Sequence, residues 1–245
     1  MDYKKLPALD LNTINQVAFP EDHYFKEEQV KKQIVLHHTI SDTLNSVIST
    51  WTEKPQHVAT PFVISKDGTI NQLFSSKYWA IHLFRNSSPF DKVGIPNGKT
   101  QRYIIEKQSI GIEILSWGGI YKGDGKTKKD FGHGEIILQN GKYYAIYGNI
   151  LNLKDEQVLH IPEGFMGYYY FDKYTDQQLI SIYKLLKYLC NRYNIDLKYN
   201  SDMWNLNKNA LSGQNSIFTH VSMRGSEKSD CFPQPELIEM LKALK

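Results

Sequence analysis

The chain has 245 residues, 29 Lys and Arg against 26 Asp and Glu, a formal net charge of +3, 41% hydrophobic and 22% charged side chains. Such a length and balance suit one large soluble domain with a real core; the small charge, with no basic block beyond Lys126-Thr127-Lys128-Lys129, excludes the electrostatic footprint of a nucleic-acid binder. No apolar run approaches the ~20 residues of a membrane span, and Met1-Asp2-Tyr3-Lys4-Lys5-Leu6-Pro7 lacks the apolar core of a signal peptide, so the expectation is a chain made in the cytoplasm, with no membrane partner and no classical leader.

Residues 1–30 mix Asp, Asn, Pro and Glu with scattered apolar side chains and read as an irregular N-terminal arm; residues 31–245 read as a single domain. Its first firm element is a strand over Ile34–Thr39. Strand side chains alternate, so Val35, His37 and Thr39 look one way while Ile34, Leu36 and His38 look the other, and one of the two histidines can face a given site. Ser41 and Asp42 are good N-caps for a helix carrying Leu44, Val47, Ile48 and Trp51, which runs to about Lys54 and closes at Pro55.

Phe62 to Phe74 places Asp67-Gly68 between two β-rich runs, a strong hairpin signal. A short strand is expected over Trp79–His82 and a loop over 85–101. In Ser109–Leu115, Ile110, Ile112 and Ile114 share one face, while Ser109, Gly111 and Glu113 share the other. A glycine inside a strand often marks the close approach of another group, so Glu113 is aimed at whatever Gly111 leaves room for.

From 117 to 174 the chain is rich in Gly, Lys and Tyr and reads as an insertion with one or two hairpins, including a strand over Lys142–Tyr147. Thr175-Asp176-Gln177-Gln178 is a capping box, opening a helix striped by Leu179, Ile182, Leu185, Leu186, Leu189 and Tyr193. Ile217–His220 is a last strand, and Pro235 starts a C-terminal helix carrying Leu237, Ile238, Leu241 and Leu244. Alternating strands and helices make the fold α/β, with a mixed central sheet flanked by helices.

His37 and His220 each end a strand, and Lys228-Ser229-Asp230 follows the second closely. Two imidazoles and a carboxylate form the ligand set of an open catalytic zinc site. Taken singly these residues have ordinary readings: a hydrogen-bonded core histidine, a strand glutamate facing solvent, a surface lysine. Their joint placement argues for chemistry. His57, His133 and His160 lie in unpatterned stretches and are expected to have no role.

Five segments in register, Ile34-Val35-Leu36-His37-His38-Thr39, the Phe62–Leu73 hairpin, Trp79-Ala80-Ile81-His82, Ser109-Ile110-Gly111-Ile112-Glu113-Ile114, and His220 with Lys228 and Asp230, resemble the zinc-dependent N-acetylmuramoyl-L-alanine amidases of the type 2 family, which share their fold with peptidoglycan recognition proteins and phage lysozyme-amidases. The resemblance covers about 33–115 and 175–244. It implies one Zn2+ held by His37, His220 and Asp230, with Glu113 as catalytic acid and base, Lys228 as oxyanion donor, and Trp79 and His82 on the substrate side. It further implies a peptidoglycan or muropeptide substrate, cut between N-acetylmuramic acid and L-alanine, in phage lysis, cell-wall turnover or recycling; the chain is expected to be a monomer and, in phage lysis, to be released to the cell wall. Cys231, one step off the third ligand's register, is the alternative ligand. Departures from the pattern occur at Val58-Ala59-Thr60-Pro61 before the hairpin, at Cys231-Phe232-Pro233 after the third ligand, and in the long 117–174 segment, expected to reshape one wall of the groove. Two other readings stand beside the amidase: a non-catalytic peptidoglycan-binding module, and a cysteine hydrolase pairing Cys231 with His220.

Overall fold

The computed structural model describes residues 1–53 and 56–245. The expected helix end at Lys54 and Pro55 lies outside the described residues. In chain order the elements are β1 (Asn15–Gln16), β2 (Gln33–His38), α1 (Leu44–Thr52), β3 (Phe62–Ile64), β4 (Ile70–Gln72), α2 (Ser88–Lys92), α3 (Gly98–Gln108), β5 (Ser109–Ile114), β6 (Gly119–Lys122), β7 (Lys128–Asp130), β8 (Glu135–Ile137), β9 (Tyr143–Tyr144), β10 (Ile150–Leu151), β11 (Val158–Phe165), β12 (Tyr168–Asp172), α4 (Asp176–Tyr193), α5 (Lys208–Leu211), β13 (Ser216–Thr219), α6 (His220–Arg224) and α7 (Pro235–Lys242).

The central sheet has the order β1-β4-β3-β5-β2-β13. The β3–β4 pair is the antiparallel hairpin expected around Asp67-Gly68, whereas β3, β5, β2 and β13 run parallel. Strand β2 lies between two parallel neighbours and is buried along its whole length, which is why Ile34-Val35-Leu36 reads as an unbroken apolar run. The stripe of α4, capped by Thr175 and Gln178 as expected, packs with α7 into the main core with Leu179, Ile182, Leu186, Leu189, Leu237 and Leu241. A second apolar cluster gathers Val47 of α1 with Val63, Phe74 and Leu115.

Several expectations need correction. Trp79–His82 forms isolated bridges, Phe25 with Trp79 and Val58 with Ile81, in place of a strand. The expected 85–101 loop contains α2 and the start of α3; α3 buries only Gly98, Ile105 and Glu106, too narrow a face to leave an apolar stripe in the sequence. The N-cap of α1 is Thr43, whose side chain accepts from Ser46 N–H. His220 does not end β13 but opens α6, because Thr219 and Ser222 make a reciprocal cap there. Leu244 falls beyond the end of α7 yet stays buried.

The 117–174 segment is richer than one or two hairpins: β10-β9-β6-β12-β11 form a five-stranded sheet, with β7–β8 as a separate ribbon. The expected strand at 142–147 is cut to two residues by a turn in which Gly148 N–H donates to Ala145. Its base is stapled to the main domain through Asp172. That buried carboxylate accepts from Trp117 N–H at 2.8 Å and pairs with Lys66 Nζ at 2.8 Å, while Ser116 Oγ donates to its carbonyl at 2.8 Å.

Candidate metal centre and catalytic cleft

Ligands of open α/β sheets bind outside the carboxyl ends of parallel strands. Here three adjacent ones, β5, β2 and β13, end in Glu113, His37 and the residue before His220. They floor a cleft of about 410 Å³ whose borders also include Lys228 and Asp230. Ser46, Thr50 and Trp51 of α1, with Val58, Ala59 and Thr60, also line it, as do Trp117, Tyr147 and Asn149 of the 117–174 segment.

His37 Nδ1 lies 3.0 Å from His220 Nδ1 and 3.2 Å from Asp230 Oδ2, and His220 Nδ1 lies 2.9 Å from the same oxygen. The remaining ring nitrogens are already committed. His220 Nε2 sits 2.9 Å from the Leu83 carbonyl, which can only accept, so Nε2 carries a proton. His37 Nε2 is 2.9 Å from His82 Nδ1, His82 Nε2 is 2.8 Å from Ser109 Oγ, and Ser109 Oγ donates to the Glu106 carbonyl at 3.2 Å. That terminal carbonyl sets the direction of the chain: His82 donates to Ser109, and His37 donates to His82. With the tautomers assigned from this network, both Nδ1 atoms turn toward Asp230.

Two imidazole nitrogens and a carboxylate oxygen facing each other require a positive charge between them, either a proton shared with Asp230 or a metal ion. Burial first, and then the adjacent His220, hold His37 down to about 4, so its imidazole is neutral near pH 7 despite Asp230. Burial works to raise Asp230, but a proton shared with the facing imidazoles, above all His220, and the charge of Lys228 outweigh it and hold the carboxyl well below its usual range. His37, His220 and Asp230 are all buried, and their ligand atoms lie within 4.8 Å of one another. This donor set, with each imidazole's second nitrogen bonded from behind, fits a zinc ion with an open coordination position.

Glu113 borders the cleft while its Oε2 is buried without a hydrogen-bond partner among the described residues. Burial pushes its carboxyl up to about 8, the Asp230 charge adds to this, and Lys228 opposes it. The face shared by Ser109, Gly111 and Glu113 is used as the sequence suggests. A Cβ on Gly111 would stand 2.5 Å from Thr60 Cγ2 and 2.9 Å from His82 Nδ1, so glycine makes the room in which His82 reaches His37.

His38 points away from the ligand set, 3.0 Å from the Tyr174 hydroxyl, although its edge also borders the cleft. Cys231, the alternative ligand and nucleophile, is fully buried with its thiol against Tyr174 and stands outside both cleft and ligand cluster. Burial pushes that thiol well above its usual range. Trp79, expected on the substrate side, stacks on Phe25 at 4.0 Å and donates to Glu27 at 3.2 Å, and is not among the residues lining the cleft. His82 does border it, but both its nitrogens are spent on His37 and Ser109.

The sequence reading misses Glu106. This buried carboxylate accepts from the backbone N–H groups of His82, Leu83 and Phe84 at 2.9–3.2 Å. Burial pushes it up to about 7 against those hydrogen bonds. The sequence signal is thin, one acidic residue near a helix end.

A mixed sheet with two histidines, an aspartate and a half-buried glutamate at its carboxyl edge defines the class, a hydrolase with a candidate metal centre. The chain belongs to the N-acetylmuramoyl-L-alanine amidase family, whose model matches residues 27–233. Among solved structures it is similar to that of PlyL, at 14% identity over 95% of this chain and 98% of that one, with a TM-score of 0.46. It is also similar to the N-acetylmuramoyl-L-alanine amidase LysC from Clostridium intestinale URNW, at 14% identity over 94% and 95% of the two chains, TM-score 0.42. A selenomethionine derivative of AmpD is similar at 14% identity over 98% and 99%, TM-score 0.45. Comparison with curated proteins gives no match.

Proposed function

We infer that this amidase is zinc-dependent and hydrolyses the amide between N-acetylmuramic acid and the L-alanine of peptidoglycan. The observation that carries the reading is the convergence of His37 Nδ1, His220 Nδ1 and Asp230 Oδ2 at the floor of a cleft that also holds the unpartnered Glu113 carboxylate. When bound, zinc supplies Lewis acidity, acidifying water and polarising the amide carbonyl.

The chain's own groups do the rest. Glu113, held near neutral range by burial against cationic pull, takes the proton of the attacking water and delivers it to the departing alanine nitrogen, work worth about 10²–10⁴-fold. Lys228, beside Asp230 on the cleft border, donates to the oxyanion as the carbonyl becomes tetrahedral; loss of such a donor costs about 3 kcal/mol. His82 and the Leu83 carbonyl hold the ligand imidazoles in orientation. Trp51 and Trp117 both line the cleft and offer aromatic surface to the substrate.

The test is digestion of purified sacculi and of soluble muropeptides by wild type and Glu113→Ala, with mass spectrometry of the products. Free muramoyl lactyl carboxylates and new L-alanine amino termini are expected, absent with Glu113→Ala. New reducing ends, or cuts between stem-peptide residues, would sink the assignment.

A further inference from the structure

The three residues 82–84 serve both candidate metal ligands at once. His82 Nδ1 accepts from His37 Nε2–H at 2.9 Å, and the adjoining Leu83 carbonyl accepts from His220 Nε2–H at 2.9 Å. No strand or helix holds this segment. Two buried charges hold it instead. On one side, the Glu106 carboxylate spans the backbone N–H groups of residues 82, 83 and 84. On the other, the buried Lys31 ammonium donates to the carbonyls of Tyr78, Lys107 and Ser109 at 2.8–3.1 Å, tying the chain just before the segment to the end of α3 and the start of β5. Glu106 also supplies, through its carbonyl, the acceptor that orients Ser109 and hence the His82 ring.

Burying an ammonium and a carboxylate costs free energy that apolar side chains would not incur, and neither group reaches the cleft. We propose that Glu106, with Lys31, is a positioning clamp that fixes residues 82–84 and thereby locks His37 and His220 in the tautomer whose Nδ1 faces the metal position. The inference rests on the reading that His37, His220 and Asp230 hold zinc, and it makes a separate claim about the metal-free protein. Both imidazoles are protonated on Nε2 by the second contact alone.

The experiment compares full-length wild type, Glu106→Gln, Glu106→Ala, Lys31→Met and Ser109→Ala. Imidazole ¹⁵N shifts are read on the metal-free proteins, and zinc affinity is read by competition with a chromophoric chelator. Wild type should show Nε2 protonated at both histidines, whichever Nδ1 shares a further proton with Asp230 in the absence of metal. Glu106→Ala should mix the tautomers at both and weaken zinc about 10–100-fold, the usual effect of losing such outer contacts. Glu106→Gln, which keeps one acceptor oxygen, and Lys31→Met should fall between. Ser109→Ala should disturb His37 and spare His220, a split that general destabilisation does not produce. Leu241→Ala, a remote core change, should lower stability with zinc affinity unchanged. Folded Glu106→Gln and Ser109→Ala proteins with wild-type tautomers and wild-type zinc affinity would overturn the clamp. A wild type that holds the Nε2–H forms but no zinc would overturn the zinc reading and leave the clamp standing.

Discussion

Replacing Glu113 by Gln should abolish activity and yet stabilise the metal-free protein at alkaline pH. The folded carboxyl titrates near 8 against an ordinary 4.5, so between those values the unfolded chain has released its proton while the folded one keeps it. Folding stability therefore carries no penalty from Glu113 below about pH 4.5, loses ground steadily as pH rises toward 8, and is lower by a constant amount above that. The full shift corresponds to roughly 4–5 kcal/mol. One oxygen is sealed while the residue still borders the cleft, so solvent screening trims this to roughly 2–3 kcal/mol. For a chain of this size each kcal/mol moves Tm by about 2–4 °C, so Glu113→Gln should gain about 5–10 °C over wild type at pH 8.5 and almost nothing at pH 4.5. Thermal melts in the presence of a chelator, read across that range, provide the assay. A Tm difference that stays constant with pH would refute the buried, unpartnered carboxylate. With zinc bound the difference should shrink, because a cation favours the ionised form.

His37→Ala should empty the metal site, whereas His38→Ala, whose ring is turned to Tyr174, should leave zinc bound; metal content after dialysis checks both, and the reverse result would mean the ligand face is wrong. Lys228→Ala should lower kcat by about 10²–10³-fold with little change in zinc content, measured by steady-state kinetics on a muramoyl-peptide. Asp172→Ala breaks the Lys66 pair and the Trp117 N–H contact together; chemical denaturation should show a loss of about 3 kcal/mol, and protease should nick the insertion sooner. Chelation should remove activity, and zinc should restore it, while thiol alkylation of the folded protein should leave activity intact because Cys231 is sealed.

What the sequence made legible was the chemistry carried by regular strands. His37, Gly111 and Glu113 sit on β2 and β5, where alternation sets which side chains share a face; that His37 and Glu113 meet is implied by the family resemblance, and the parallel register that pairs them is seen in the fold. Regular spacing gives out on the segments between the strands. Trp79 and His82 lie on a segment held by isolated bridges, so strand parity could not say that one stacks on Phe25 while the other reaches His37. Helix α3 went unseen because its buried face includes a carboxylate, Glu106, where an apolar residue would have signalled it. Thr219 and Ser222 did carry a readable cap, which would have placed His220 at a helix start.

These failures share a physical origin. Local rules of folding favour apolar interiors and paired charges, and a sequence that obeys them everywhere is easy to read. Here the violations collect at one edge of the sheet: an orphaned carboxylate at Glu113, a second buried carboxylate at Glu106, an ammonium at Lys31 with only carbonyl partners, and three nitrogen and oxygen acceptors turned on each other. Each lowers stability where it stands, and none is needed to close the core formed by α4, α7 and β2. A cation at His37, His220 and Asp230 would relieve the repulsion and favour ionised Glu113 at once, so an ion held there should also stabilise the fold. Metal affinity and folding free energy are on this argument linked quantities, and a substitution that lowers one by disturbing residues 82–84 should lower the stabilisation gained from zinc by a matching amount.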